Sequence, residues 1–334
     1  MDILWIKILA GVAGMAALGA FGGFLVQGID RKLVALMQAR IGPPIRQPYW
    51  DFLKLMGKEN VVPEHAVAPI FNAAPVVSFA AVVTLLLYLP LFGQDPVLEG
   101  YGDLILVMYL LAMPALALVF GGFASGSPYA TVGAQREMVT MIAYELPLGA
   151  VVVAIAWKLG AIGVAEPFSL AAVTANPVWN ACGPFGWGGF FLLLLALVLV
   201  TPAELGKVPF DAPEAKSELA EGLLVEYSGR NLALFHLSLG ARMIAMTALT
   251  VALFVPYNLS PALALNGVAG AVVDAAFFAA KFFIVMFLSI VLMRAAMARF
   301  RINQVVEVYW KIGGALTGLG LLLVMFDHAI RTGG

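Results

Sequence analysis

The chain is poor in the residues that build redox centres and metal sites. Of its 334 residues one is a cysteine, Cys182, and three are histidines, His65, His236 and His328. A lone cysteine excludes an internal disulfide, a cysteine-ligated iron–sulfur cluster and a structural zinc site. The histidines are too scattered along the chain to suggest a metal or haem pair. Charge is scarce as well: 12% of residues are Asp, Glu, Lys or Arg, about half the share in an average soluble domain. The net charge of −1 argues against a nucleic-acid partner. No convincing internal repeat is present, which weakens a secondary-transporter reading. Any redox chemistry near this chain must therefore be carried by a partner subunit.

Apolar sequence is what abounds. The chain is 62% hydrophobic with a mean hydropathy of +0.95, and apolar runs of about 20 residues recur. This predicts an all-α polytopic transmembrane bundle, one integral membrane domain over residues 1–334. Eight spans are expected at 3–29, 68–92, 104–123, 138–160, 187–203, 232–256, 271–293 and 308–328. Residues 3–29 are too long for the core of a cleaved leader and read as the first span. Of 19 Lys and Arg residues, 14 fall in or beside loops 30–67, 124–137, 204–231 and 294–307. Only Lys7, Lys158 and Arg331 lie on the other side, while Arg242 and Lys281 sit inside spans. The positive-inside rule then puts the four loops in the cytoplasm and both termini outside.

The first of these loops divides at Gly42-Pro43-Pro44. Beyond it Tyr49, Phe52, Leu53 and Met56 follow helical spacing, with Asp51, Lys54 and Lys58 on the other face. That pattern predicts an amphipathic helix on the membrane surface, in contact with the lipid bilayer. Together with Arg31, Arg40, Pro43, Arg46 and Lys54 it offers a basic platform for a docked protein.

The acids are concentrated too. Six of the chain's 20 fall between Glu204 and Glu226: Glu204, Asp211, Glu214, Glu218, Glu221 and Glu226. Asp211 reads as an N-cap, Pro213 as first turn and Gly222 as the end of a helix. On that helix Asp211, Glu214, Glu218 and Glu221 would form a single stripe of acids. Four carboxylates in line repel, which implies coupled, raised pKa values and proton occupancy near neutral pH. A proton relay and a docking stripe for a basic partner both fit. Arg136 and Glu137 stand at the entrance of span four, with Glu145 about 12 Å deeper by helix rise. A carboxylate inside a span, like Lys281 in span seven, needs water, a counter-charge or a polar cavity. Arg294 is placed to compensate the stripe, and Arg242 to snorkel towards the surface.

PFDAPEAKSELAEGLLVEYSG closely resembles the signature of the membrane subunit that joins the two arms of respiratory complex I. ARIGPP, QPYWDFLKLMGKE and RFRINQVVEVYWK resemble that family's first and last loops, with Asn303 where the family usually has Asp. The first loop lacks the longer glycine-rich insertion of quinone-binding members, and early span six offers Leu239 and Arg242 in place of a glutamate. SGSPYATVGAQREM is similar to the corresponding subunit of group 4 membrane-bound [NiFe]-hydrogenases and formate hydrogenlyase.

The resemblance implies a non-catalytic subunit of an oxidoreductase complex in a prokaryotic cytoplasmic membrane, with no redox centre of its own. It would hold a [NiFe]-hydrogenase large subunit and a small iron–sulfur subunit, which carry the [NiFe] centre and the [4Fe–4S] clusters. It would couple ferredoxin-linked electron transfer to proton or sodium movement through antiporter-like membrane subunits. By carry-over Glu145, Glu204, Asp211, Glu214, Glu218 and Glu221 line a polar path; Glu137, Glu226, Lys281 and Arg294 extend it from the residue reading. A quinone-chamber subunit of complex I and a stand-alone ion transporter are the alternatives.

Overall fold

The computed structural model describes residues 2–332, with side chains excepted at 2–5, 216 and 217. No strand occurs among these residues, and eight helical stretches are long and apolar enough to cross a membrane. They run Ile6–Met37, Ala68–Tyr88, Leu104–Ala124, Pro128–Ala161, Pro184–Glu204, Gly229–Phe254, Gly267–Ala296 and Ile302–Thr332. We number them spans one to eight. The expected count holds and the expected borders move. Span four starts about three turns earlier than hydropathy predicted, because the polar stretch from Pro128 is already helical there, and its Gly133 and Arg136 meet the loop after span five. Proline opens several spans, as at Pro128 and Pro184, where a missing N–H costs the first turn nothing.

Span six is the hub. Its apolar window is 94% buried, against 17% for span one and 28% for span eight. Small residues let neighbours close on it: a Cβ built on Gly23 of span one would lie 2.7 Å from the carbonyl carbon of Gly240. Polar groups at these contacts are paired inside the bundle, as lipid demands. Ser78 and Ser238 share a 2.7 Å hydrogen bond, and Gln27 donates to the His236 carbonyl at 2.9 Å. Thr201, Thr247, Thr250 and Ser289 each donate to the carbonyl four residues earlier. Spans one, seven and eight each contain a π-helical turn, at Leu18–Gly22, Phe287–Val291 and Val308–Gly313.

The surface helix predicted after Pro44 is present as Gln47–Met56. It is seated by Tyr49, whose hydroxyl donates to the Phe21 carbonyl at 2.5 Å, and by Phe24 packing on Tyr49 and Phe52.

Candidate functional site

The acidic loop, 205–228, is not the single helix its spacing suggested. A 3-10 turn at Ala212–Glu214 gives way to extended Ala215, then a four-residue helix at Lys216–Leu219. Ala220 and Glu221 adopt left-handed backbone with φ of 50° and 81°. Gly222 follows at φ 53°, and a Cβ there would lie 2.0 Å from the Pro213 carbonyl oxygen. The loop thus closes on itself, and the expected stripe of Asp211, Glu214, Glu218 and Glu221 on one helix face is broken. Asp211 makes no side-chain cap. The turn back buries Leu223 against Val119 of span three and Ala134 of span four, contacts a single straight helix would forgo.

Each acid of the loop consequently has its own surroundings. Asp211 takes a two-pronged pair from Arg299 of the last basic loop, Nε to Oδ1 at 2.8 Å and Nη2 to Oδ2 at 2.6 Å. Glu218 is exposed and accepts from Arg136 at 2.7 Å, and that hydrogen bond holds its carboxyl below the usual range. Glu221 lines a cavity near the surface, and Glu226 lies half-buried further along the loop. The loop's end is anchored by Tyr227, which stacks on Phe71 at 4.1 Å and donates to its carbonyl at 3.1 Å.

Glu214 points inward, where it lines two cavities. The outer one, about 290 Å³, lies between span one, the surface helix and the loop; Phe24, Arg31, Phe52, Lys54, Glu221 and His236 contribute to it. The inner one, about 50 Å³, also includes Glu137, Asp211, Ser238, Leu239 and Arg242. Glu214, Leu224 and His236 line both cavities and so stand between them. Burial pushes the Glu214 carboxyl up to about 7, against the opposing pull of Lys207.

Behind the inner cavity three carboxylates gather round one guanidinium. Arg242 donates through Nη2 to Glu204 Oε1 at 3.0 Å and also to the Glu204 carbonyl. It is 4% exposed, so the surface-seeking arginine expected from sequence is instead a buried counter-charge. Glu137, 6% exposed, lies within electrostatic reach of Arg242, Glu204 and Glu214. Tyr144 directs a buried hydroxyl at Glu204 without reaching ordinary hydrogen-bond geometry. Glu145 follows on span four, half-buried and still within the field of Glu204.

Two of the expected path residues lie elsewhere. Lys281 donates to the carbonyls of Val255 and Tyr257, at 2.9 and 2.6 Å, beyond the far end of span six. There it lines a separate cavity of about 400 Å³ with Asp95, Glu99 and Asn258, away from the acid cluster. Arg294 does not compensate the acidic loop directly; it pairs with Asp30 of span one. Asp30, fully buried, also faces Lys207 of the loop at 3.6 Å. Sequence reading missed Asp30. The signal was an acid beside two basic residues at a span end, where an unpaired carboxylate is costly. It also missed the buried Lys158–Asp327 pair at the opposite face, 3.6 Å apart.

Among the proposed docking residues, Arg31 is held by Asp51 at 3.2 Å, while Arg40, Arg46 and Lys54 are exposed and Pro43 is half-buried. Among the described residues no group of three or more His, Cys, Asp or Glu converges as a metal site requires.

An eight-span bundle that shelters carboxylates beneath a basic loop face is the architecture of a membrane subunit of a respiratory-type complex. The chain belongs to the NADH dehydrogenase family, whose profile matches residues 10–325. It is 34% identical over 309 residues to a subunit of the NADH-quinone oxidoreductase of Geobacillus sp. (strain WCH70), covering 90% of this chain and 88% of that protein. The corresponding protein of Bacillus thuringiensis (strain Al Hakam) is 34% identical over 310 residues, with the same coverage. Among solved structures, a chain of the membrane-bound sulfane sulfur reductase, an archaeal respiratory membrane complex, matches with a TM-score of 0.80. That match is 29% identical and covers 95% of this chain and 99% of that one. The protein is thus a multi-pass membrane subunit of an electron-transport complex and works with partner subunits.

Proposed function

We propose that this chain is the non-catalytic subunit that docks a [NiFe]-hydrogenase large subunit and a small iron–sulfur subunit on its basic, cytoplasmic face. It couples their ferredoxin-linked electron transfer to proton or sodium movement, which continues through antiporter-like subunits. The observation that carries this reading is the cluster of Glu137, Glu204 and Glu214 around Arg242, with Glu214 also lining the outer cavity. Three carboxylates facing one guanidinium in a poorly solvated space cannot all stay ionised, so the cluster stores a proton. The [4Fe–4S] clusters and [NiFe] centre of the partners supply the redox chemistry. A change of charge or shape in the docked module alters the field at Glu214, and a proton redistributes among Glu214, Glu137 and Glu204 towards Glu145. Exposed Arg40, Arg46 and Lys54 steer the partner electrostatically. In the assembled complex, Glu137→Gln and Glu214→Gln should leave partner stoichiometry and electron transfer intact while lowering ions moved per electron. Unchanged ion movement in both variants would sink the reading.

A second reading, a quinone-chamber subunit, draws support from the outer cavity, which combines Phe24, Phe52 and Leu232 with charged groups. It also draws support from the identity to quinone oxidoreductase subunits. The proteins that copurify in mild detergent decide between the two: a hydrogenase-type catalytic subunit for the first, an NADH-oxidising arm with bound quinone for the second. A stand-alone transporter would move ions as the isolated chain in liposomes, where we expect no flux.

A further inference from the structure

The segment that joins span six to span seven at the far face carries no charged residue from Val255 to Val273. Leu263, Leu265, Val268 and Val272 stand out from it, 53%, 36%, 82% and 62% exposed. An apolar surface of this kind needs a cover. The nearest charges along span seven are Asp274 and Lys281, seven residues apart and so on one face of the helix. Both turn inward onto the loop's backbone. Asp274 accepts the N–H groups of Leu259 and Ser260 through Oδ1 at 2.9 and 2.8 Å, and the Ser260 hydroxyl through Oδ2 at 2.5 Å. Lys281 donates to the carbonyls of Val255 and Tyr257.

The loop also bonds to itself. The N–H groups of Leu263, Ala264 and Leu265 reach the carbonyls of Leu259, Pro261 and Ser260 at 3.3, 3.3 and 3.1 Å. Five amides between 259 and 265 are thus paired, and Pro261 has no N–H to pair. The segment then lies back against the start of span seven, where a Cβ on Gly270 would sit 2.8 Å from the Leu265 carbonyl oxygen. Backbone groups satisfied from within, beneath outward apolar side chains, are what a water-poor surrounding demands. The depth agrees. Asp274 stands 20 residues before Arg294, which lies in the last turn of span seven at the basic face. At about 1.5 Å per residue that is roughly 30 Å, one hydrocarbon thickness, which puts Asp274 and the loop beside it at the far lipid boundary.

We propose that residues 259–273 are an interfacial anchor, bedded in the headgroup–acyl boundary of the leaflet opposite the basic loops and covered there by phospholipid. Between Pro261 and Val273 there is no aromatic residue, arginine or methionine, the residues that anchor protein interfaces. Lipid needs no such anchor, only apolar area free of charge. The neighbouring loop differs. Its Asp95 and Glu99 are exposed and line the far-face cavity, so that side is open to water. The segment fixes the depth at which span seven sits, with Asp274 and Lys281 supplying the hydrogen bonds that lipid cannot.

The test is photo-crosslinking of the whole complex in its native membrane, with the photoreactive residue p-benzoylphenylalanine introduced singly in place of Leu263, Val268 or Asp95. Products are read by mass spectrometry of the purified complex. Leu263 and Val268 should give phospholipid adducts as their main product, several-fold above the yield at Asp95, which faces water on the same side of the bundle. Adducts with another protein chain at Leu263 and Val268 overturn the proposal and make the segment a subunit interface. Lipid yields no greater than at Asp95 overturn it as well. Should the Leu263 replacement fail to assemble, Val268, the most exposed of the four, decides the matter by the same comparison.

Discussion

Arg242 of span six and Glu204 at the end of span five face each other at 3.0 Å, with 5% and 1% of their side chains exposed. Removing one partner strands the other as a bare charge in a poor solvent. Arg242→Met should destabilise the subunit by about 3–5 kcal/mol, whereas Arg242→Met with Glu204→Leu should recover most of that loss. Thermal unfolding of the detergent-solubilised complex measures both. The double variant should remain unable to couple ion movement, because the proton store has lost its counter-charge and one of its three acids.

Glu214 should give the coupling its pH dependence. Its folded-state value, raised to about 7, means it binds a proton that a solvated glutamate would already have released. Relative stability from this group is fully present below the ordinary glutamate value and is lost as pH rises through about 7. Ions moved per electron should therefore change across neutral pH in the native complex and be flat there in Glu214→Gln. The rate of ion movement at the optimum should fall on the order of 100-fold, the effect of removing a positioned proton-transfer group.

Arg299 secures the loop through both carboxylate oxygens of Asp211. Lysine keeps the charge but cannot reproduce the fork. Arg299→Lys should cost about 1.5–3 kcal/mol of local stability. It should raise hydrogen–deuterium exchange over residues 206–228, while exchange within span six stays unchanged.

Gly222 permits the loop's return. Gly222→Ala adds a Cβ 2.0 Å from the Pro213 carbonyl oxygen in left-handed backbone. The strain, about 1–3 kcal/mol before the clash is counted, should open the loop and reduce assembled complex in the membrane. Blue-native electrophoresis and proteolysis at 206–228 check this.

At the far face, Lys158 and Asp327 are a structural counterpart, 1% and 3% exposed, with Asp327 also accepting from the Gly183 N–H at 3.0 Å. Lys158→Met should lower the unfolding temperature of the complex without altering ions moved per electron in the protein that remains. A coupling defect there would show that the acid cluster at the basic face is not sufficient for the path.

Hydropathy and charge along the chain determine the outline of this molecule. Long apolar runs, the 3.6-residue pattern of Tyr49, Phe52 and Met56, and the caps and prolines at span ends act between near neighbours, so they can be read along the chain. The residues of the acid cluster were legible for the same reason: a carboxylate in or beside an oily run stands out. Their arrangement was not. Whether Glu214 and Glu218 share a face depended on Gly222 meeting Pro213 and on Tyr227 stacking upon Phe71 of a distant span. Whether Arg242 snorkels or pairs, and whether Lys281 joins the acids or the opposite cavity, depended on which helix packs beside it. Burial of apolar surface adds up residue by residue along the sequence, whereas the energy of a charge depends on its distance to other charges and to water. Only the folded chain sets those distances.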